Sequence, residues 1–251
     1  MLSIENLSCR YTKRSPRILN GIDLTLRAGE IGILLGKNGS GKTTLLKTVL
    51  GILTPESGAI CFKNEDVSKT SRRERAKRIA YVAQDIRFGE LTVFDSVLMG
   101  RIAHFGISPG ENDYEVTERV LMEMNLESLA SRNVEQLSGG ERQKVAIARA
   151  MAQEPEILIF DEPTGNLDVA NEQLFIKEVR RLAKEKNIAV LSSLHDLNQA
   201  LSFGDKFFFL KNGRITHQGG AETITEAIIK DTFDINVKIV LHENRKLVYV
   251  V

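Results

Sequence analysis

The chain has 251 residues, enough for one α/β domain with insertions and a sizeable buried core. Its net charge of +1 excludes a general polyanion-binding field, and its two cysteines, Cys9 and Cys61, form no C-x-x-C pair, which argues against thiol redox or metal work. Met1 leads into Leu2-Ser3-Ile4-Glu5 without a basic-then-apolar leader, and no apolar run approaches the ~18 residues of a membrane span, so a soluble cytosolic protein is expected.

Residues 2–8 and 22–27 alternate apolar and polar side chains, the pattern of half-buried strands, with a polar turn region between them. Ile31 to Leu35 is a continuous apolar run, read as a buried strand. It runs into Gly36-Lys37-Asn38-Gly39-Ser40-Gly41-Lys42-Thr43-Thr44, after which an apolar helix continues to about Gly51. The spacing G-x-x-x-x-G-K-T between a strand and a helix is a phosphate-binding loop. Glycines let backbone N–H groups curl around an anion, and the helix N-terminus adds partial positive charge. Lys42 is expected to reach the terminal phosphates and the Thr43 hydroxyl to hold Mg²⁺.

Turn chemistry at 54–58 precedes a strand at 59–63. The basic run 71–78 has no interleaved aromatic residue for base stacking, so it reads as a short solvated helix rather than a nucleic-acid patch. A strand at 79–83 ends at Gln84, whose amide oxygen suits a metal or a water. From about 91 to 153 the texture is helical, with Val116, Val120, Leu121 and Met124 on one apolar face. Within it Leu137-Ser138-Gly139-Gly140-Glu141 opens a helix at 141–151. Ser138 and Glu141 have capping-box spacing, which leaves Gly139 and Gly140 to be explained by exposure of N–H groups to an anion.

Ile157 to Phe160 is an apolar run typical of a strand buried on both faces, and Asp161-Glu162 follows at its C-terminal end, where parallel sheets bind ligands. Asp161 suits the Mg²⁺ shell and Glu162 the polarising of an attacking water. A helix (168–186), a strand (188–193), a helix (196–203) and a strand (206–210) alternate as in a parallel sheet, and His195 stands at a sheet end, where a donor to a terminal phosphate is wanted. The tail from Ala221 holds a short helix and two strands, 237–241 and 246–251. Tyr11 is an aromatic that can stack on an adenine or simply pack.

Together these motifs resemble the ATP-binding subunit of an ABC transporter over about 3–220. The chain carries the phosphate loop (36–44), Gln84 as the Q-loop, the LSGGE signature (137–141), the ILIFDE strand (157–162), Gly165-Asn166-Leu167-Asp168 as the D-loop and His195 as the switch histidine. The resemblance implies a P-loop NTPase (RecA-like) core with a mixed sheet, an N-terminal antiparallel β subdomain and an inserted helical subdomain. As a single ABC ATPase domain over 1–251, its nucleotide-binding core and β subdomain would be 1–87 and 156–220, its helical signature subdomain 88–155 and its tail 221–251. It implies ATP and Mg²⁺ as ligands, Thr43, Gln84 and Asp161 as metal ligands, Glu162 as general base, His195 on the γ-phosphate, Tyr11 on the adenine and Asp168 in the nucleotide site. It further implies a head-to-tail homodimer in which Ser138, Gly139 and Gly140 cap the partner's ATP. Docking would be onto permease subunits at the cytoplasmic face of the membrane, with a solute-binding protein as indirect partner and no nucleic acid.

A narrower resemblance, through 71–76, Leu91 to Arg101, His104-Phe105-Gly106 and Leu194 to Ala200, is to importers of iron-siderophore, haem and cobalamin. Gly165-Asn166 departs from their usual Ser-His and is more familiar in exporter-like and lipoprotein-releasing ATPases. A soluble DNA-repair ATPase would place long coiled coils between Lys42 and Ser138, where fewer than about 100 residues lie and no heptads run. A GTPase would need Asn-Lys-x-Asp, which the chain lacks, and a phosphate-loop kinase would leave LSGGE and His195 unexplained.

Overall fold

The alternating N-terminal pattern folds as β1 (Leu2–Cys9) and β2 (Leu19–Leu26), an antiparallel pair that buries Leu2, Ile4, Leu7, Ile22, Leu24 and Leu26. The computed structural model describes residues 1–251 except Asn64, Asp85, Ile86, Asn166, Asn244 and the side chain of Ser68. It divides into two compact units, Met1–Thr70 with Arg180–Val251, and Ser71–Val179.

In chain order the first unit continues with β3 (Ile31–Leu35), α1 (Lys42–Val49), β4 (Ser57–Phe62) and the two-residue β5 (Glu65–Asp66). The second unit holds α2 (Arg72–Arg78), β6 (Ile79–Val82), α3 (Val93–Leu98), α4 (Glu111–Glu123), α5 (Gly139–Ala152) and β7 (Ile157–Asp161). Helix α6 (Val169–Glu185) contributes residues to both units. The chain then gives β8 (Ala189–Ser193), α7 (Leu197–Phe203), β9 (Lys206–Lys211), β10 (Arg214–Gly219), α8 (Glu226–Phe233) and the hairpin strands β11 (Val237–His242) and β12 (Arg245–Val250). Among the described residues no helix is long and apolar enough to cross a membrane.

In the first unit, antiparallel strands in the order β2-β1-β4-β5 lie alongside a mixed set in which β3 pairs in parallel with both β8 and β9. All five residues of β3 are buried, as are Val190, Leu191 and the Phe207-Phe208-Phe209 run, as expected of central parallel strands covered on both faces. Strand β10 pairs antiparallel with β9 across Asn212-Gly213, both at positive φ (49° and 72°), which is the two-residue hairpin turn that Asn-Gly favours. The residues of β10 show no apolar run or clean alternation that announces a strand, and only the Asn-Gly turn dipeptide before them signals the hairpin.

In the second unit β6 and β7 pair in parallel, with Ile157 to Phe160 buried and Phe160 edge-on to Phe175. Helix α4 buries Val116, Val120 and Leu121, the expected apolar face, and Met124 is buried just beyond it. Arg101, buried to 2% exposure, ties this unit together from inside. Its guanidinium donates to Asp113 (3.1 Å), the Ala152 carbonyl (2.8 Å) and Glu154 (2.8 Å). Burial pushes the Asp113 carboxyl up, but hydrogen bonds from the Gly110 N–H and Arg101 outweigh it and hold the group below its ordinary value.

The basic run forms α2, capped by Ser71, with none of its residues buried. Its charges are used locally: Arg73 donates to the carbonyls of Ala103, His104 and Phe105, Lys77 pairs with Glu74 and Arg78 with Glu156. That is the solvated helix expected of such a run.

Candidate nucleotide site

Gly36 closes β3, and the loop it begins fits no larger residue there. A Cβ on Gly36 would stand 2.3 Å from the Leu210 carbonyl oxygen and 2.8 Å from Ser40 Oγ. Gly39 and Gly41 take positive φ (80° and 111°), which turns the chain back on itself before α1 starts. The Lys42 side chain folds across the loop and donates to the Gly36 carbonyl (2.7 Å) and the Lys37 carbonyl (3.2 Å). The far wall is braced from β9 and β10, where the Gly213 N–H donates to the Ser40 carbonyl (3.1 Å). Ser40 Oγ is buried without a hydrogen-bond partner, and a Cβ on Gly39 would meet nothing within 4 Å. The loop is therefore a cradle with an open side, an amine and an unused hydroxyl, the donor set a polyphosphate takes.

A Gly36→Ala chain is expected to lose about 1–3 kcal/mol of stability, since the β9 carbonyl must move. The check is the urea midpoint, which should fall with an unchanged slope.

Tyr11 is 53% exposed and its hydroxyl lies 3.2 Å from Thr44 Oγ1, so its ring stands beside the first turn of α1. The segment that carries it is tethered by Glu56, which accepts from both Arg17 and Arg10 at 2.6–2.9 Å. Hydrogen bonds from Arg17 and then Arg10 hold the Glu56 carboxyl at about 2. A carboxylate lowered in this way keeps its pairing above its ordinary value of 4.5 and loses it as the pH falls towards 2. The tether is thus intact at neutral pH.

His195 follows β8 at the same end of the strands as the loop. The Leu194 N–H donates to the Leu34 carbonyl (3.2 Å), so the histidine, which is exposed, begins level with the start of the phosphate loop. Asp196 then caps α7 by accepting from the Gln199 N–H at 2.8 Å. The first unit thus brings Tyr11, residues 36–44 and His195 to one end of its strands.

The second unit gathers the other expected residues. Asp161 ends β7, half buried, and its charge, after burial, raises the phenol of Tyr81 on β6. Glu162 takes φ 48°, the left-handed region that side chains other than glycine rarely adopt and that concentrates at functional sites. Gln84 is exposed just past β6, and a Cβ on Gly165 would lie 3.4 Å from its Nε2, so the amide sits beside the turn that follows Glu162. Asn166 lies outside the described residues.

Ser138 and Glu141 form the capping box. The Ser138 N–H and hydroxyl both donate to the Glu141 carboxylate (2.9 and 2.7 Å), lowering its pKa, and Ser138 Oγ accepts from the Glu141 N–H. Gly139 is exposed and a Cβ there would touch nothing within 4 Å, as an anion-facing turn requires. Gly140 has a second reason to be glycine, because a Cβ would fall 2.2 Å from Asn171 Oδ1. Asn171 is in turn held by Asp168, which accepts from its N–H (2.8 Å) and its Nδ2 (2.9 Å). Asp168 therefore caps α6, a structural task the sequence did not announce. Also unannounced are the β9–β10 turn against Ser40 and the acid that pairs with Lys37.

A mixed sheet with parallel strands, a glycine loop from β3 into α1 and an antiparallel N-terminal sheet define a P-loop nucleoside triphosphatase. The ABC transporter family profile matches residues 19–165, and the chain belongs to that family. An uncharacterized ABC transporter ATP-binding protein of Methanocaldococcus jannaschii is 43% identical over 95% of this chain and 93% of its own length. The hemin import ATP-binding protein of Hahella chejuensis is 36% identical over 90% of each chain, and other relatives are named for import of phosphonates and of sulfate and thiosulfate. Among solved structures, a chain of an ABC transporter described as metal-chelate type, in an inward-facing conformation, is similar with a TM-score of 0.83. It is 31% identical and covers 100% of this chain and 96% of its own. Proteins of this family hydrolyse ATP to power transport, and this chain is the ATP-binding, ATP-hydrolysing subunit of a transporter.

Proposed function

We propose that the chain powers an importer of iron-siderophore, haem or cobalamin from the cytoplasmic face of the membrane. It would work as a homodimer bound to integral-membrane permease subunits, with a solute-binding protein delivering the cargo. The observation that carries the nucleotide part is the cradle of residues 36–44, with Lys42 folded across it and an unused Ser40 hydroxyl. Backbone N–H groups of Lys37 to Thr44 and the Lys42 amine take the phosphates, and Tyr11 takes the adenine. Thr43, Gln84 and Asp161 offer a hydroxyl, an amide oxygen and a carboxylate, hard oxygen donors suited to Mg²⁺ sharing its shell with phosphates. The metal would neutralise charge on the phosphate oxygens. Glu162 takes the proton of the attacking water and His195 donates to the γ-phosphate. Ser138, Gly139 and Gly140 present the N-terminus of α5 to the partner's ATP, and Asp168, the cap of α6, belongs to the nucleotide site. Residues 1–87 and 156–220 then serve as the nucleotide core with its β subdomain, 88–155 as the signature subdomain and 221–251 as a tail.

Support for import comes from the relatives named as import ATP-binding proteins, and support for a haem or metal-chelate cargo from the hemin relative and the metal-chelate type transporter. The test is a tagged Glu162→Gln chain recovered from native membranes with ATP and read by mass spectrometry. The expected result is a multi-span permease of the siderophore, haem or cobalamin type. A phosphonate-type permease would overturn the cargo. An exporter-type membrane subunit would overturn the direction and make Gly165-Asn166 the better guide. Recovery of no membrane protein would sink the docking claim.

A further inference from the structure

We propose that the C-terminal segment, residues 221–251, is a positioning element of the nucleotide site, attached to it at two points: Asp234 on Lys37 and Val248 on Asn198. The second point rests on the role assigned above to His195; the first needs only the phosphate loop.

The segment is built to present these two groups. Thr225 caps α8 by accepting from the Ile228 N–H (3.2 Å), and Ile224, Ile229 and Thr232 are buried beneath it. The helix stops at Asp234, whose φ of 54° turns the chain sharply while its N–H still donates to the Lys230 carbonyl (2.9 Å). At that turn the Asp234 carboxylate pairs with the Lys37 ammonium, from the second residue of the phosphate loop. One turn earlier, Asp231 pairs with Lys211 at the end of β9 through both its carboxylate (2.8 Å) and its carbonyl (2.6 Å). Strand β9 is also the strand whose Leu210 carbonyl walls the loop at Gly36. The end of α8 is thus tied to both sides of the phosphate cradle.

Beyond the turn, β11 and β12 form a two-stranded hairpin, an arrangement too small to be stable unaided. Val237 and Val248 bury one face of it. Ile239 and Val248 are register partners, and their outward main-chain groups are met by side chains. Glu226 accepts from the Ile239 N–H (3.2 Å). Asn198 does more at Val248: its Nδ2 donates to the carbonyl and its Oδ1 accepts from the N–H, both at 2.8 Å. One amide satisfies both groups of the residue, as a neighbouring strand would. Asn198 stands in the first turn of α7, three residues after His195 and two after the Asp196 cap.

A tail that merely completed the fold would need its buried apolar contacts and nothing else. Here one polar attachment falls on the loop that takes the phosphates, one on the turn that carries the switch histidine, and the third, Asp231 on Lys211, on the strand that walls that loop. Attachment to the loop should be read in nucleotide affinity, and attachment to the histidine turn in turnover.

The experiment uses full-length Asp234→Ala, Asp234→Glu, Asn198→Ala and Asn198→Asp chains. Equilibrium binding of a fluorescent N-methylanthraniloyl ATP is measured beside steady-state hydrolysis and thermal unfolding. Asp234→Ala is expected to weaken binding about two- to fivefold, the range of an exposed ion pair, with Asp234→Glu restoring it. Asn198→Ala is expected to lower kcat about three- to tenfold, two neutral hydrogen bonds being lost, with nucleotide affinity held. Asn198→Asp, which keeps the bond from the Val248 N–H, should fall between. Wild-type binding and turnover in both alanine variants would overturn the proposal. So would equal loss in KM and kcat that tracks a lowered Tm, the signature of a purely structural tail. His195→Ala separates the layers. Wild-type turnover in that variant removes the role of His195 and with it the Asn198 attachment, and leaves the Asp234 attachment to be decided by binding alone.

Discussion

A Glu162→Gln chain is expected to bind ATP with near wild-type affinity, to hydrolyse it about 100- to 10,000-fold more slowly, and to accumulate as an ATP-dependent dimer. The magnitude is that of removing a general base. Glutamine keeps the shape and the hydrogen-bonding reach of glutamate but cannot take a proton at neutral pH. It also tolerates the left-handed φ of 48° no worse than glutamate does, so the turn after β7 should hold its form. Phosphate release measures the first effect and size-exclusion chromatography with and without ATP the second. If turnover stayed within a few-fold of wild type, Glu162 would not be the base, and its strained backbone would need another explanation.

A Lys42→Ala chain is expected to lose ATP affinity by about 10- to 100-fold, corresponding to the roughly 1.5–3 kcal/mol of a hydrogen bond to a charged group. Lys42 is buried to 6% exposure and is held by two loop carbonyls, so its ammonium is already placed on the loop and is not recruited from solvent. Its loss removes both the charge and the strut that keeps Gly36 and Lys37 in register. Lys42→Arg should recover little, because a planar guanidinium does not fit where a compact point charge donates to two adjacent carbonyls. Calorimetric titration with ATP measures the affinity, and circular dichroism shows that the fold persists. Unaltered binding in Lys42→Ala would remove the loop from the nucleotide site.

The two variants separate binding from chemistry, and both residues were visible as letters in a row. The phosphate loop was legible because its function is local: strand, tight turn and helix lie within residues 31–49, and the glycines needed for the turn leave a fixed spacing. The capping box of Ser138 and Glu141 was legible for the same reason, as were the buried strands Ile31–Leu35 and Ile157–Asp161. The tail strands were legible to within a residue, and periodicity showed the buried face of α4 but not where that helix begins and ends.

What eluded the sequence depends on residues far apart in the chain. Arg101 sat within a stretch read for its resemblance to importers, yet it is a buried tie between α4 and the end of α5. Gly140 was read for its N–H group, whereas its missing side chain also makes room for Asn171. A charge or a glycine in one segment does not say which distant group it will meet, because register, helix rotation and sheet order choose the partner.

The local conformations that make a nucleotide loop were therefore written in the order of residues, since glycine dihedrals, caps and apolar periodicity act over one or two turns. Which groups surround that loop was settled by packing. The pairing of β3 with β8 and β9 brings Leu210, Gly213 and His195 to the loop from more than 150 residues away, and the fold of α8 brings Asp234 to Lys37.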